Sequence, residues 1–99
     1  MERYCEQEKN CLRVYVPREL DHHEADRLKQ EADFFIETGQ VKTLVFDFAG
    51  TEFMDSSGIG VIIGRSRKMG YFGGEVYAEH LSGRILKICL LYTSDAADE

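Results

Sequence analysis

The segment spanning residues 43–69 constrains the fold more than any other part of this chain. It opens with a run of β-branched and aromatic residues, which is typical of a buried strand. It ends with isoleucines at helical spacing before a closing glycine. Between these two parts lie Asp55 and Ser56, which are residue types preferred at a helix N-cap. The segment therefore predicts a strand over 43–48 and a helix over 57–69, capped by Asp55 or Ser56.

The same alternation of strand and helix patterns extends over the rest of the chain. Further strands are predicted at 11–16 and 75–79, with an edge strand within 3–8. One helix is predicted to begin at Asp21 and to stop at Gly39, and another begins at Ser82. This order predicts an α/β fold, with a mixed, mostly parallel sheet of about four strands and helices mainly on one face.

Length and charge limit the classes of function. The 99 residues suffice for one small domain, and the net charge of −6 argues against nucleic acid as a direct partner. No apolar stretch is long enough to span a membrane, and no secretory signal is visible, so we expect a cytoplasmic protein. Cys5 and Cys11 fit no disulfide framework or metal-ligand spacing and are interpreted as reduced thiols.

Two predicted helix starts carry the chemistry of interest. Asp21 and Asp55 each follow a strand and each open a helix. Because the carboxyl ends of parallel strands form one edge of a sheet, the two starts are expected to share a rim. A phosphate on a serine beside Asp55 would meet the unpaired N–H groups of a helix N-terminus. The alternative is that residues 55–57 only cap the helix.

Three glycines suggest a second function, a nucleotide-binding α/β enzyme fragment that uses Gly58, Gly60 and Gly64. Their spacing is one residue longer than that of the dinucleotide fingerprint, and the chain is too short for two mononucleotide-binding halves. Three glycines in a helix start also fit close packing of helix on sheet.

Other polar residues indicate no site. His22 and His23 are adjacent and point to different sides of a helix, and no cysteine or further histidine falls at metal-ligand spacing around them or around His80. The basic residues within 65–68 are expected to form a solvated helix face.

Two segments, 19–23 and 53–65, together resemble the bacterial anti-sigma factor antagonists of the STAS domain family. The first reads Glu-Leu-Asp-His-His, and the second contains Asp-Ser-Ser-Gly-Ile-Gly. The similarity extends over about residues 11–88. It implies a STAS-like domain over 1–88 from which the last strand and last helix of the family are missing.

The resemblance also implies a function. The first serine after the aspartate, Ser56, would be phosphorylated by an anti-sigma factor that is a serine kinase, and a serine phosphatase would reverse the modification. The unphosphorylated chain would bind that kinase and release a sigma factor during sporulation. It would act without catalysis, cofactor or metal. The residues expected to bind the partner are Asp21, His22, Asp55, Ser56, Ser57, Gly58 and Ile59.

The last eleven residues, 89–99, require a separate interpretation. They match the translation of a transposon-based sequencing adapter. We therefore expect this tail not to be native and exclude it from the predicted domain.

Overall fold

The computed structural model describes residues 3–97, with side chains described for residues 3–90. In chain order the elements are β1 (Cys5–Glu8), β2 (Cys11–Tyr15), β3 (Glu19–Leu20), α1 (His22–Thr38), β4 (Thr43–Asp47), β5 (Phe53–Met54), α2 (Ser56–Tyr71), β6 (Glu75–Glu79) and α3 (Gly83–Ala97). The predicted α/β architecture is confirmed.

A four-stranded sheet with the order β1-β2-β4-β6 forms the centre of the fold. β1 pairs antiparallel with β2, whereas the β2–β4 and β4–β6 pairs are parallel. The mixed, mostly parallel sheet and the edge strand near the N-terminus are therefore as predicted.

One face of this sheet forms the core together with the helices. Leu12 and Val14 of β2 alternate with polar residues and are completely buried, as is Leu44 of β4. They belong to one apolar cluster with Leu28 of α1 and Met69 of α2. The side chains that alternate with them point to the opposite face, which carries a network of ion pairs.

A second, two-stranded sheet was not predicted. β3 and β5 pair in parallel, with Glu19 opposite Phe53 and Leu20 opposite Met54. Strands of two residues are too short for the alternation of side chains that identifies a strand in sequence. This small sheet positions the candidate site.

The helix ends agree with the sequence to within about two residues. Asp21 caps α1 and Gly39 ends it, as predicted. α2 begins at Ser56, one residue earlier than expected, and ends at Tyr71. α3 continues through residue 88 without a break. The non-native origin of residues 89–99 stays a prediction, and residues 98–99 lie outside the described part of the chain.

The prediction of a solvated basic face on α2 is wrong for Arg65. Its guanidinium is buried between the helices, with Nε 2.9 Å from Oδ1 of Asp33 on α1. Arg67, two residues on, is exposed as expected. A buried arginine of this kind cannot be recognised in sequence, because its partner lies on another helix.

Candidate functional site

The starts of α1 and α2 lie side by side because β3 and β5 pair in register. Leu20 stands opposite Met54, and the next residue on each strand is a helix cap, Asp21 or Asp55. The Asp55 amide donates a hydrogen bond of 3.2 Å to the Leu20 carbonyl. The shared rim expected from the sequence is present. It is produced by the small sheet, however, and not by the main sheet.

Asp21 caps α1 with extended backbone geometry, φ −89° and ψ −175°. Its Oδ1 accepts hydrogen bonds from the amides of His23, at 3.1 Å, and Glu24, at 3.0 Å. The bond from the Glu24 amide is the main reason that the pKa of Asp21 lies below its ordinary value. Asp21 is therefore a fixed negative charge on the rim.

Asp55 caps α2 with almost the same backbone geometry, φ −91° and ψ −176°. Its Oδ1 accepts a hydrogen bond of 2.9 Å from the Gly58 amide. Ser56 and Ser57 are the first two residues of α2, and both side chains are exposed. Both candidate hydroxyls are thus accessible, and each lies within the first turn of a helix whose cap is already filled by a carboxylate.

Gly58 has a clear packing role. A Cβ placed there would lie 2.4 Å from the Leu20 carbonyl oxygen and 2.8 Å from Leu20 Cγ. Only glycine therefore lets the first turn of α2 approach β3 so closely. At Gly60 and Gly64, by contrast, an added Cβ would meet no atom within 4 Å. Close packing explains Gly58, and it is the wrong explanation for the other two glycines.

The remaining predicted partner-binding residues differ in accessibility. His22 is exposed, and its ring lies 4.1 Å from that of His23 between centroids. Ile59 is only 3% exposed and belongs to the core, so its side chain does not line the rim. Phe53, which sequence reasoning missed, is 49% exposed on β5 just before the cap of α2. Its only sequence signal is an apolar residue two positions before the cap.

A second polar cluster lies on the helix-free face of the main sheet. Asp47, Glu79 and His80 come close enough together to hold a cation in principle. Arg13 already supplies positive charge there, since Nη1 lies 3.1 Å from Asp47 and 2.7 Å from Glu79. Burial alone raises the pKa of Asp47, but hydrogen bonds from the Ala49 amide and His80 lower the pKa overall. We interpret this cluster as an ion-pair network that links β2, β4 and β6.

Within residues 3–97, no helix combines the length and the apolar character needed to cross a membrane.

Comparisons with a family model, with other sequences and with solved structures all indicate the same family. Residues 4–94 match the model of the STAS domain family. The anti-sigma F factor antagonist of Paenibacillus polymyxa is 38% identical over 71 residues, which cover 72% of this chain. The chain spans 61% of the length of that relative.

Two solved structures have the same fold. The anti-sigma factor antagonist SpoIIAA in its unphosphorylated form superposes with a TM-score of 0.76 and 28% identity, covering 85% of this chain and 77% of SpoIIAA. The Bacillus cell fate determinant SpoIIAA in the phosphorylated form gives a TM-score of 0.77 and 27% identity, with coverages of 90% and 80%.

Proposed function

The chain belongs to the STAS domain family, and on that premise we propose that it is an anti-sigma factor antagonist controlled by phosphorylation of Ser56. In its unphosphorylated form it binds an anti-sigma factor that is also a serine kinase, and this releases a sigma factor during sporulation. The kinase then phosphorylates Ser56, and a serine phosphatase restores the active form. The name of the Paenibacillus relative and the two forms of SpoIIAA support this proposal.

The observation that carries the proposal is the position of Ser56. Its side chain is exposed at the first residue of α2, directly after the Asp55 cap. A protein kinase needs access to the hydroxyl and to the backbone around it, and a rim at the edge of the fold offers both. Ser57 is also exposed. We prefer Ser56 because it is the serine that directly follows the aspartate, as in the family motif.

The charges of the rim explain how phosphorylation could switch off binding. A phosphoserine adds about −1.5 to −2 charges near neutral pH. The Gly58 and Glu24 amides already donate to the Asp55 and Asp21 carboxylates, so those donors are not free to neutralise a phosphate. The added charge would therefore lie beside two carboxylates whose capping donors are already in use. Such a charge would repel an acidic partner surface and would occupy the helix N-terminus that the partner would otherwise contact.

The same geometry argues against the nucleotide-binding alternative. Phosphate cradles use free backbone amides that a ligand can approach closely. Here the Gly58 amide is bonded to Asp55, and the Leu20 carbonyl lies against the Gly58 Cα. We therefore propose a binding module without catalysis. Calorimetry of the full chain with ATP, GTP or NAD alone should detect no binding, whereas clear binding would favour the alternative.

The deciding experiment uses the full chain and the purified anti-sigma F factor of Paenibacillus polymyxa with ADP, which supports binding without phosphoryl transfer. We expect a complex in calorimetry and gel filtration. Ser56→Asp should weaken it by about tenfold or more, because a charged carboxylate replaces the neutral hydroxyl at the proposed contact surface. Gln30→Glu, which adds a charge on an exposed part of α1, is the matched control and should bind like the parent. Failure of the parent chain to bind would contradict the proposal.

A further inference from the structure

A group of charged side chains joins α1 to α2 well behind the rim. The Asp33 carboxylate lies 2.9 Å from Arg65 Nε and 3.2 Å from Lys68 Nζ. Lys68 also pairs with Glu37, which raises the pKa of the lysine above its ordinary value. We call Asp33, Arg65 and Lys68 the interhelical cluster.

The interhelical cluster differs from an ordinary surface ion pair in its burial. Arg65 is 9% exposed, and the contacting atoms Asp33 Oδ1 and Arg65 Nε are inaccessible to solvent. Those two atoms are at ion-pair distance without hydrogen-bond geometry to any described residue. Replacement of a buried ion pair by apolar side chains often leaves stability unchanged or raises it. Stability alone therefore does not account for the pair, and the alternative is a role in the specificity of helix packing.

The location of the interhelical cluster indicates that it acts on the alignment of α1 with α2. Asp33 and Arg65 each lie about three helical turns beyond the cap of their own helix. A second link between α1 and α2 lies at their caps. There the Asp55 amide donates a hydrogen bond to the Leu20 carbonyl, and Gly58 packs against Leu20. α1 and α2 are thus linked at two positions along their length, at the caps and at the interhelical cluster. Because apolar contacts are not directional, a single link would leave other axial alignments of α1 on α2 accessible.

We propose that the interhelical cluster sets the axial register of α1 on α2, and that it thereby fixes the position of Ser56 relative to Asp21 at the rim. An axial shift of α1 relative to α2 would leave the Arg65 guanidinium buried without the Asp33 carboxylate, which is strongly unfavourable. Asp33 and Arg65 are positioning residues that need not touch a partner. The significance of this register for partner binding rests on the proposed function.

The test replaces the pair by apolar side chains, Asp33→Leu with Arg65→Met, in the full chain. We expect a melting temperature close to that of the parent. Native-state hydrogen exchange of the Asp55 amide should nevertheless become about tenfold faster, because the bond to Leu20 loses its fixed alignment. The affinity for the anti-sigma F factor of Paenibacillus polymyxa should fall by about tenfold.

Controls separate this proposal from the proposed function. Glu37→Gln removes only the exposed partner of Lys68. It should change neither the exchange rate of the Asp55 amide nor the affinity for the anti-sigma factor. If the parent chain does not bind the anti-sigma factor, the proposed function fails, but the exchange rate of Asp55 still decides the positioning role. Unchanged exchange in a stable double variant would overturn the proposal. If the double variant does not fold, Arg65→Gln takes its place, because it removes the guanidinium while Asp33 keeps Lys68 as a partner. Unchanged exchange of the Asp55 amide in that variant would again overturn the proposal.

Discussion

The amide of Asp55 donates a hydrogen bond to the carbonyl of Leu20, and this bond ties the cap of α2 to the residue that precedes the cap of α1. Two segments more than thirty residues apart in sequence therefore begin their helices at adjacent positions.

Gly58→Ala should destabilise the protein, because its Cβ would lie within 3 Å of both the Leu20 carbonyl and side chain. We expect a loss of ~1–3 kcal/mol in the free energy of unfolding, as for other overpacked sites. Gly64→Ala is the matched control. It adds the same methyl group in open space and should stabilise α2 by about 0.5–1 kcal/mol. Thermal or urea melts measure both. Shifts in the same direction would contradict the packing role of Gly58.

Ser56 should be the residue phosphorylated by the partner kinase. Ser56→Ala should bind the anti-sigma factor but resist inactivation by ATP, whereas Ser57→Ala should bind and still be inactivated. Phosphopeptide mapping by mass spectrometry, after incubation with kinase and ATP, measures this directly. Label on Ser57 in the parent chain would overturn the assignment.

The pKa of Asp21 should be lower than the ordinary aspartate value of about 3.9. A carboxyl group with a lowered pKa in the folded state stabilises the fold above its unfolded pKa, and this contribution is lost as the pH falls through the folded pKa. Asp21→Asn retains a good N-cap but cannot titrate, so its stability should depend less steeply on pH below about 4.

NMR titration of the side-chain carboxyl resonances measures the Asp21 pKa directly, and melts at several pH values compare the parent with Asp21→Asn. An Asp21 pKa at or above the ordinary value would be inconsistent with its capping bonds.

Cys5 should be unreactive in the folded protein. Burial, reinforced by the nearby Glu31 carboxylate, raises the pKa of the Cys5 thiol to about 12. Because the thiolate is the reactive form, alkylation by iodoacetamide at about pH 8 should modify the half-buried Cys11 well before Cys5. Mass spectrometry with and without denaturant locates the modified residues. Equal rates for the two cysteines in the folded state would contradict the burial of Cys5.

The elements with strong local signals could be predicted from the sequence. Asp21 and Gly39 mark the ends of α1 by their own chemistry, and the apolar run of β4 is long enough to identify a strand. The closeness of the two caps was also expected. The small sheet that brings the caps together could not be predicted, because the pairing of β3 with β5 leaves no pattern in two residues.

The features that could not be predicted depend on contacts distant in sequence. The burial of Arg65 depends on Asp33 of another helix. The difference between Gly58 and Gly64 likewise depends on what lies opposite each one, and only Gly58 faces Leu20. Both positions are glycines in the same predicted helix, and nothing in the sequence shows what each one faces. The sequence alone could therefore not separate their roles.

The adjacent N-termini of α1 and α2 at the rim have an electrostatic consequence. Each helix N-terminus acts as roughly half a positive elementary charge, so two adjacent N-termini contribute roughly one. The carboxylates of Asp21 and Asp55 outweigh this, which leaves the unmodified rim with a net charge of roughly −1. A phosphate on Ser56 would bring the net charge to roughly −3. On the proposed function, the two states of the protein would therefore differ at the rim by roughly two elementary charges.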